Sequence, residues 1–374
     1  MPSLAIRNLL HDRVRLIVTL TGIVFSVVLS AIQLGLFVGF QRATSDLIRM
    51  SGADVWVRSR GVTHMESGVP FSERVMYRVQ GLPGVEAAEK YIANFSGWKR
   101  GDGAEEGILV IGLEPGATMG RPWNLTEGRV EDLLQPDAVI VDELYRDKLG
   151  VKQVGDTAEI RGRRARVVGF TRGIRTFTTA PSVFTSYRNA LAYLNLDEDR
   201  TLYVLVKAAA TTDASTLASR ISAAMPDVDA QSTAAWQAAQ ESYWMFGTGA
   251  GITVLIAAGL GMLVGVVVVA QTIYAATVDH LKEYGTLKAI GAANSYIYRV
   301  ITQQALASAA VGYGVGIGIA LLVSRASLGG TTAILLPWPL VAGLAVATAG
   351  MCLIASIVSI NKATRIDPAM VFRN

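Results

Sequence analysis

No Asp, Glu, Lys or Arg occurs in residues 16–41, 242–278, 300–324 or 326–361. A helix needs about 20 apolar residues to cross a hydrocarbon layer of roughly 30 Å, and each of these runs is longer than that. Four transmembrane helices are therefore predicted, over 16–41, 242–278, 300–324 and 340–361, with 325–339 as a short outer loop. Hydrophobic residues make up 51% of the chain and charged ones 17%, a balance foreign to a soluble multidomain protein. The polar stretch 42–241, about 200 residues, is long enough to bury a core of its own.

The sequence pI of 9.1 does not point to nucleic acid, because the net charge is only +4 and the basic residues flank the apolar runs. Arg7, Arg13 and Arg15 precede the first run, Lys282, Lys288 and Arg299 follow the second, and Lys362, Arg365 and Arg373 follow the fourth; Arg325 stands alone in the loop opposite. The positive-inside rule then places both termini in the cytoplasm and 42–241 outside. The expected chain is a multi-pass protein of the inner (plasma) membrane: an amphipathic lead-in over 1–15, a cytoplasmic loop over 279–299 and a cytoplasmic tail over 362–374. The basic start resembles a signal peptide, but the apolar region is long, and an uncleaved anchor is expected. Cys352, the single cysteine, falls in the fourth run and allows no intrachain disulfide.

The loop 279–299 reads DHLKEYGTLKAIGAANSYIYR. Leu281, Tyr284, Leu287 and Ile290 recur every three residues as an apolar stripe among His280, Lys282, Glu283 and Lys288. Asp279 is expected near a helix start, Gly291 as its stop and Asn294 as the cap of the next helix, with Tyr296 and Tyr298 at the headgroup boundary. From the residues alone two readings stay open, a helix lying in the interface plane and a helix that docks on a partner. Gly285, costly inside a helix, favours close approach of another surface.

The run EYGTLKAIGA (Glu283 to Ala292), followed at once by an apolar span, resembles the coupling loop of ABC transporter permeases of the FtsX/MacB type. Its place between the second and third of four spans is the family's place too. The resemblance implies that Leu281, Glu283, Tyr284, Gly285, Leu287, Lys288, Ala289 and Gly291 contact a separate ATPase subunit, which binds the ATP and Mg; no cofactor is expected in this chain. It also implies pairing with a second copy of this chain and, in Gram-negative cells, an adaptor (membrane fusion) protein. The opening LAIRNL and the tail DPAMVFRN are similar to the family as well.

Along the inserted domain, strands are predicted at 53–57, 107–113, 138–141, 157–161, 165–170 and 202–207, and helices at 72–82, 142–149 and 213–225. The mixture argues α+β. The run AVIVDELYRDKLGVKQVGDTAEIRG resembles the exported core domain of the same permeases. The predicted fold class is thus membrane α-helical (four transmembrane helices) with an inserted α+β extracytoplasmic domain. The first span continues as a polar helix through Met50. The second, about 55 Å long if one helix, is also expected to extend outward, so that two stalk helices flank the domain.

Chemistry of other kinds lacks its motifs. There is no G-x-x-x-x-G-K-[ST], no G-x-S-x-G and no H-E-x-x-H. His11, His64 and His280 fall on both sides of the membrane, too scattered for a shared metal site. Gly247 and Gly251, Gly261 and Gly265, and Gly312 and Gly316 have the G-x-x-x-G spacing of close helix packing in lipid, within the subunit or across a dimer. Gln33, Gln271, Gln303 and Gln304 are the strongly polar groups of the spans and are expected to hydrogen-bond between helices; with no ionisable group there, ion-coupled transport is disfavoured. The basic run 161–166, RGRRAR, reads as a solvated hairpin turn rather than a lipid contact. The expected function is a non-catalytic permease subunit that couples ATP hydrolysis by its partner to motion of the extracytoplasmic domain, for export or extraction of a hydrophobic or lipid-like substrate. The alternative is an FtsX-like signalling scaffold that activates an extracytoplasmic partner without transport.

Overall fold

Helix α1 (Arg13–Arg49) is one uninterrupted helix of 37 residues. Its first part is apolar, and from Gln41 it turns polar without a glycine or proline to stop it. The computed structural model describes residues 13–279, 286, 290 and 293–364, which divide into two compact units. Residues 40–250 with 329–332 form the inserted domain, and the remaining described residues form the helical unit.

The inserted domain is built on a 10-stranded mixed sheet. Its strands are β1 (Val55–Ser59), β3 (Val85–Lys99), β4 (Glu105–Leu113), β5 (Leu125–Glu127), β6 (Ala138–Asp142), β7 (Thr157–Ile160), β8 (Arg163–Thr171), β9 (Ser182–Ser186), β11 (Tyr203–Ala208) and β12 (Val228–Ser232). The short strands β2 (Phe71–Ser72) and β10 (Arg200–Thr201) pair with each other. The order is β12-β1-β11-β3-β4-β9-β6-β8-β5, and β7 pairs with both β8 and β3. Strands β3, β4, β9, β6, β8 and β7 therefore close into a ring, which removes the free edges that invite association with other chains. Pairs β4·β9 and β6·β8 are parallel. Strand β3 joins the two parts of the sheet: residues 85–91 pair with β11, residues 91–99 with β4, and Trp98 with Ile160 of β7.

Alternation along β1 explains why all five of its residues are buried. Trp56 faces a large core with Tyr91, Ile111, Val139, Phe184 and Tyr203. Val55 and Val57 face a second core with Val204, Val206, Val79 of α2 (Arg74–Gln80) and Leu217 and Ile221 of α5 (Ala214–Ala224). The other helices of the domain are α3 (Arg146–Leu149), α4 (Tyr187–Leu194) and α6 (Thr233–Ser242). The basic run forms the β7–β8 hairpin, with Arg161 at φ 48° and Gly162 at φ 76°, the positive pair that a tight two-residue turn requires.

The second stalk differs from the expectation of one helix into the second span. After α6 a π-helical turn covers Tyr243–Gly247, and Gly249 takes φ 78°, a left-handed conformation that ends the helix. Helix α7 (Ala250–Asp279) then starts afresh, so Asp279 lies far from the start of its helix, as its last described residue, rather than opening one. Gly247, exposed in the π turn, and Gly251, buried at the start of α7, do not share a helix.

The helical unit consists of α1 up to Gly39, α7, α8 (Asn294–Ser327) and α9 (Trp338–Thr364). All four helices are long and apolar enough to span a membrane. Pro337-Trp338-Pro339, at the end of the stretch expected to be a short outer loop, opens α9: the N–H groups of Leu340 and Val341 donate to the Pro337 carbonyl at 3.0 and 3.2 Å. Pro in a first turn removes only an N–H that has no partner there in any case.

Glycines let α1 approach its neighbours. A methyl on Gly261 or Gly316 would stand 2.9 Å from Leu29 or Val27, and one on Gly265 would collide with Ser26 and Met351. Gly312 faces Ile23 in the same way, so these four positions pack within the subunit, whereas Gly314 and Gly318 meet open space. Bonds between helices are made by small hydroxyls, with Ser26 Oγ donating to the Gly261 carbonyl at 2.9 Å and Ser30 Oγ to that of Ala258 at 3.3 Å. Tyr313 OH donates to the Val341 carbonyl at 2.7 Å. The glutamines do not fill the role expected of them. Among the described residues Gln33, Gln271, Gln303 and Gln304 make no side-chain hydrogen bond, and Gln271 and Gln303 are exposed.

Gly312→Val places carbon within 2.5 Å of the Ile23 side chain. It is expected to destabilise the purified protein by about 1–3 kcal/mol through overpacking. Gly318→Val, with open space beside it, is expected to leave the thermal midpoint in detergent unchanged. Equal midpoints for the two variants would contradict this packing.

Candidate functional site

Two places are candidates for function: the loop between α7 and α8, and the root of the stalks inside the inserted domain. In the loop, Leu281, Glu283, Tyr284, Gly285, Leu287, Lys288, Ala289 and Gly291 lie outside the described residues. Of its apolar stripe, Ile290 is described and is 80% exposed. The Ile290 N–H donates to the Thr286 carbonyl at 3.1 Å, a helical-type bond. Asn294 was expected to cap α8, but the cap position is held by Ala293 with extended backbone and no side-chain bond. Tyr296 and Tyr298 are exposed, while Ile297 and Ile301 are buried in the helical core.

The stalk root is assembled from the last turns of α1, helix α6 with its π turn, and the loop 60–70. Glu241 of α6 accepts from Gln41 Nε2 at 2.8 Å, Ser45 Oγ at 2.7 Å and Gln237 Nε2 at 2.9 Å. Its carboxylate thereby ties α1 to α6 through neutral donors. The preceding residue, Gln240, is fully buried: its Oε1 accepts from the Met65 N–H at 2.8 Å, and its Nε2 donates to the Glu66 carboxylate at 2.9 Å. Trp244 Nε1 donates to the same carboxylate at 3.3 Å.

Aromatic rings enclose this polar core. His64 stacks on Tyr243 at 4.2 Å, Phe177 lies 5.1 Å from Trp244, and Phe40 of α1 meets Phe177 edge-on at 5.3 Å. The Arg58 guanidinium lies 4.0 Å over the Trp236 ring, and its Nε donates to the Val62 carbonyl at 3.0 Å. Burial lowers the Arg58 pKa.

Glu66 is 8% exposed and has no ion-pair partner among the described residues. Burial pushes its pKa above the ordinary 4.5, against the opposing pull of the hydrogen bonds from Gln240 and Trp244. Sequence reading passed over this cluster. The signal was present as Trp236, Gln240 and Trp244 at four-residue spacing, one helical face ending in indoles, and as Glu66, the one charged residue of HMESGVP. Among the described residues no group of three or more His, Cys, Asp and Glu side chains is arranged to hold a metal ion.

This geometry is that of a multi-pass membrane subunit with one large inserted α/β domain whose entering helix is locked to its leaving helix. The chain belongs to the ABC transporter permeases of the FtsX/MacB type: the model of the MacB-like periplasmic core domain matches residues 16–224, and that of the FtsX-like permease C-terminal matches residues 255–368. It is 25% identical over 373 residues to uncharacterized ABC transporter permeases of Mycobacterium tuberculosis, covering 98% of each chain. An uncharacterized ABC transporter permease of Mycobacterium bovis has the same identity and coverage. Among solved structures it is similar to the periplasmic region of MacB from Actinobacillus actinomycetemcomitans, at 13% identity and a TM-score of 0.38 over 50% of this chain and 92% of that one. The extracellular domain of the noncanonic ABC-type transporter YknZ from Gram-positive bacteria gives 13% identity and a TM-score of 0.36 over 48% and 98%.

The raised Glu66 pKa carries a sign that can be checked. Between 4.5 and the raised value the folded chain holds a proton that the unfolded chain has released. The stability this group contributes is therefore complete below 4.5 and is lost as pH rises through the raised value. Glu66→Gln is expected to flatten that part of the pH dependence of the thermal midpoint of the full chain in detergent. Parallel curves for variant and parent would show that Glu66 does not titrate in this way.

Proposed function

We propose that this chain is the membrane subunit of an ABC transporter in which ATP hydrolysis by a separate ATPase moves the extracytoplasmic domain and drives export or extraction of a hydrophobic or lipid-like substrate. Family membership implies the ATPase. In this reading the partner binds the ATP and Mg, and this chain supplies no catalysis of its own. Two copies of the chain pair with two ATPase subunits, both termini lie in the cytoplasm, and an adaptor protein extends the path where there is an outer membrane. Leu281, Glu283, Tyr284, Gly285, Leu287, Lys288, Ala289 and Gly291 form the contact with the ATPase.

The observation that carries the reading is α1: 37 residues without a break, with Gln41 and Ser45 of its last turns holding Glu241 of α6. A displacement imposed on one end of such a helix is delivered to the other, since helices bend sharply only at identifiable interruptions. The spans between carry no Asp, Glu, Lys or Arg in residues 16–41, which favours mechanical work over passage of ions through the bundle.

Co-expression with its ATPase and measurement of hydrolysis in nanodiscs tests the assignment. Glu283→Ala and Leu287→Ala are expected to abolish the permease-dependent part of the ATPase rate while the thermal midpoint stays within about 1 °C of the parent, as for substitutions that remove only a contact with a partner. Full stimulation by both variants would remove the loop from the coupling path. Glu241→Ala, at the stalk root, is expected to leave ATPase stimulation in place and to abolish substrate release, because it unties α1 from α6 at the far end of the helix.

A further inference from the structure

Three arginines and one aspartate line an open cleft of about 600 Å³ in the inserted domain. Arg163 and Arg164 come from the start of β8, Arg188 from the first turn of α4, and Asp137 from the loop before β6. Asp137 is already engaged, by Arg164 Nη2 at 3.0 Å. Beside it Arg166 Nη2 donates to Gln135 Oε1 at 2.7 Å. Arg163 and Arg188 are exposed and have no hydrogen bond or ion pair among the described residues. Neither guanidinium group is spent on a bond within the fold, and both line the same concavity.

One further feature of the cleft complements negative charge, and a second holds the arginine pair in place. It contains the start of α4, where Ser186 caps the helix by accepting from the Asn189 N–H at 3.3 Å, and first-turn N–H groups carry partial positive charge. Tyr193 OH donates to the Arg164 carbonyl at 2.8 Å, which fixes the backbone of the arginine pair. The rim is apolar at Pro136 and at Leu134, which is 60% exposed.

We propose that this cleft binds a phosphate group, held by the guanidinium forks of Arg163 and Arg188 at the N-terminus of α4. Planar arginine forks match phosphate oxygens two at a time, and a helix N-terminus adds donors of the right sign. The phosphate is that of a lipid headgroup or of a soluble phosphate compound; the apolar rim accommodates the first carbons of either. The assignment stands on the cleft alone and does not depend on the transport reading.

Isothermal titration of the full chain in a neutral detergent tests it, with dihexanoyl phosphatidic acid and inorganic phosphate as probes. Saturable binding of at least one probe is expected, weakened at least about ten-fold in Arg163→Gln/Arg188→Gln as two charge-assisted contacts are lost. Arg42→Gln/Arg74→Gln, which removes the same charge elsewhere on the domain, is expected to bind as the parent does. Binding of the lipid probe alone identifies a headgroup site, and equal binding of both identifies a site for soluble phosphate. The proposal is overturned if neither probe saturates, if the cleft variant binds as tightly as the parent with an unchanged thermal midpoint, or if the control variant weakens binding equally.

Discussion

Lipid offers the backbone no hydrogen bonds, and from that constraint most of this architecture follows. Each N–H and C=O inside the hydrocarbon must be satisfied within its own segment, so the charge-free runs become α1, α7, α8 and α9. Hydrophobicity cannot then hold these helices together, because lipid tails are as apolar as their side chains. Contact distance takes over. Gly261, Gly265, Gly312 and Gly316 present bare backbone to Leu29, Ser26, Ile23 and Val27, and α1 settles into the surface that they leave open. Where backbones come this close, a serine hydroxyl reaches the carbonyl of the neighbouring helix, as Ser26 does at Gly261.

Outside that solvent the rules change. The inserted domain has water to drive burial, and its sheet has both faces covered, with Trp56 in one core and Val55 and Val57 in the other. Its two links to the spans differ in kind. Helix α1 enters without a break, whereas the exit through α6 has a π turn and then Gly249 at positive φ before α7 begins. Glu241 and Glu66 add positional specificity at this junction, since each is satisfied by neutral donors in fixed directions and not by a loosely oriented surface cation.

Much of this was legible in the residues, for reasons that differ by element. Strands β1, β4, β6, β8 and β11 are dense in β-branched and aromatic residues between turn signals, and a local reading finds them. Strand β3 has no such mark. VEAAEKYIANFSGWK mixes charge, alanine and aromatics because one part pairs with β11 and another with β4, so no single alternation runs its length. Strands β9 and β12 went unread for a related reason, being short and defined by their neighbours. At the stalk root, Trp236, Gln240 and Trp244 carried a periodicity that could have been read, but the burial of Glu66 against them could not.

By itself the sequence determined which segments are long and apolar enough to cross a membrane, and that a large domain of the family's type stands between the first two spans. These follow from hydropathy and motif, which are properties of a window of neighbouring residues. Tertiary structure alone decided which glycines receive α1 and which face open space, that β7 closes the strand ring, that the glutamines of the spans make no bond between helices among the described residues, and that Arg163 and Arg188 share a cleft. Each of these depends on what arrives from a distant part of the chain, and a residue's identity does not record what will be brought against it.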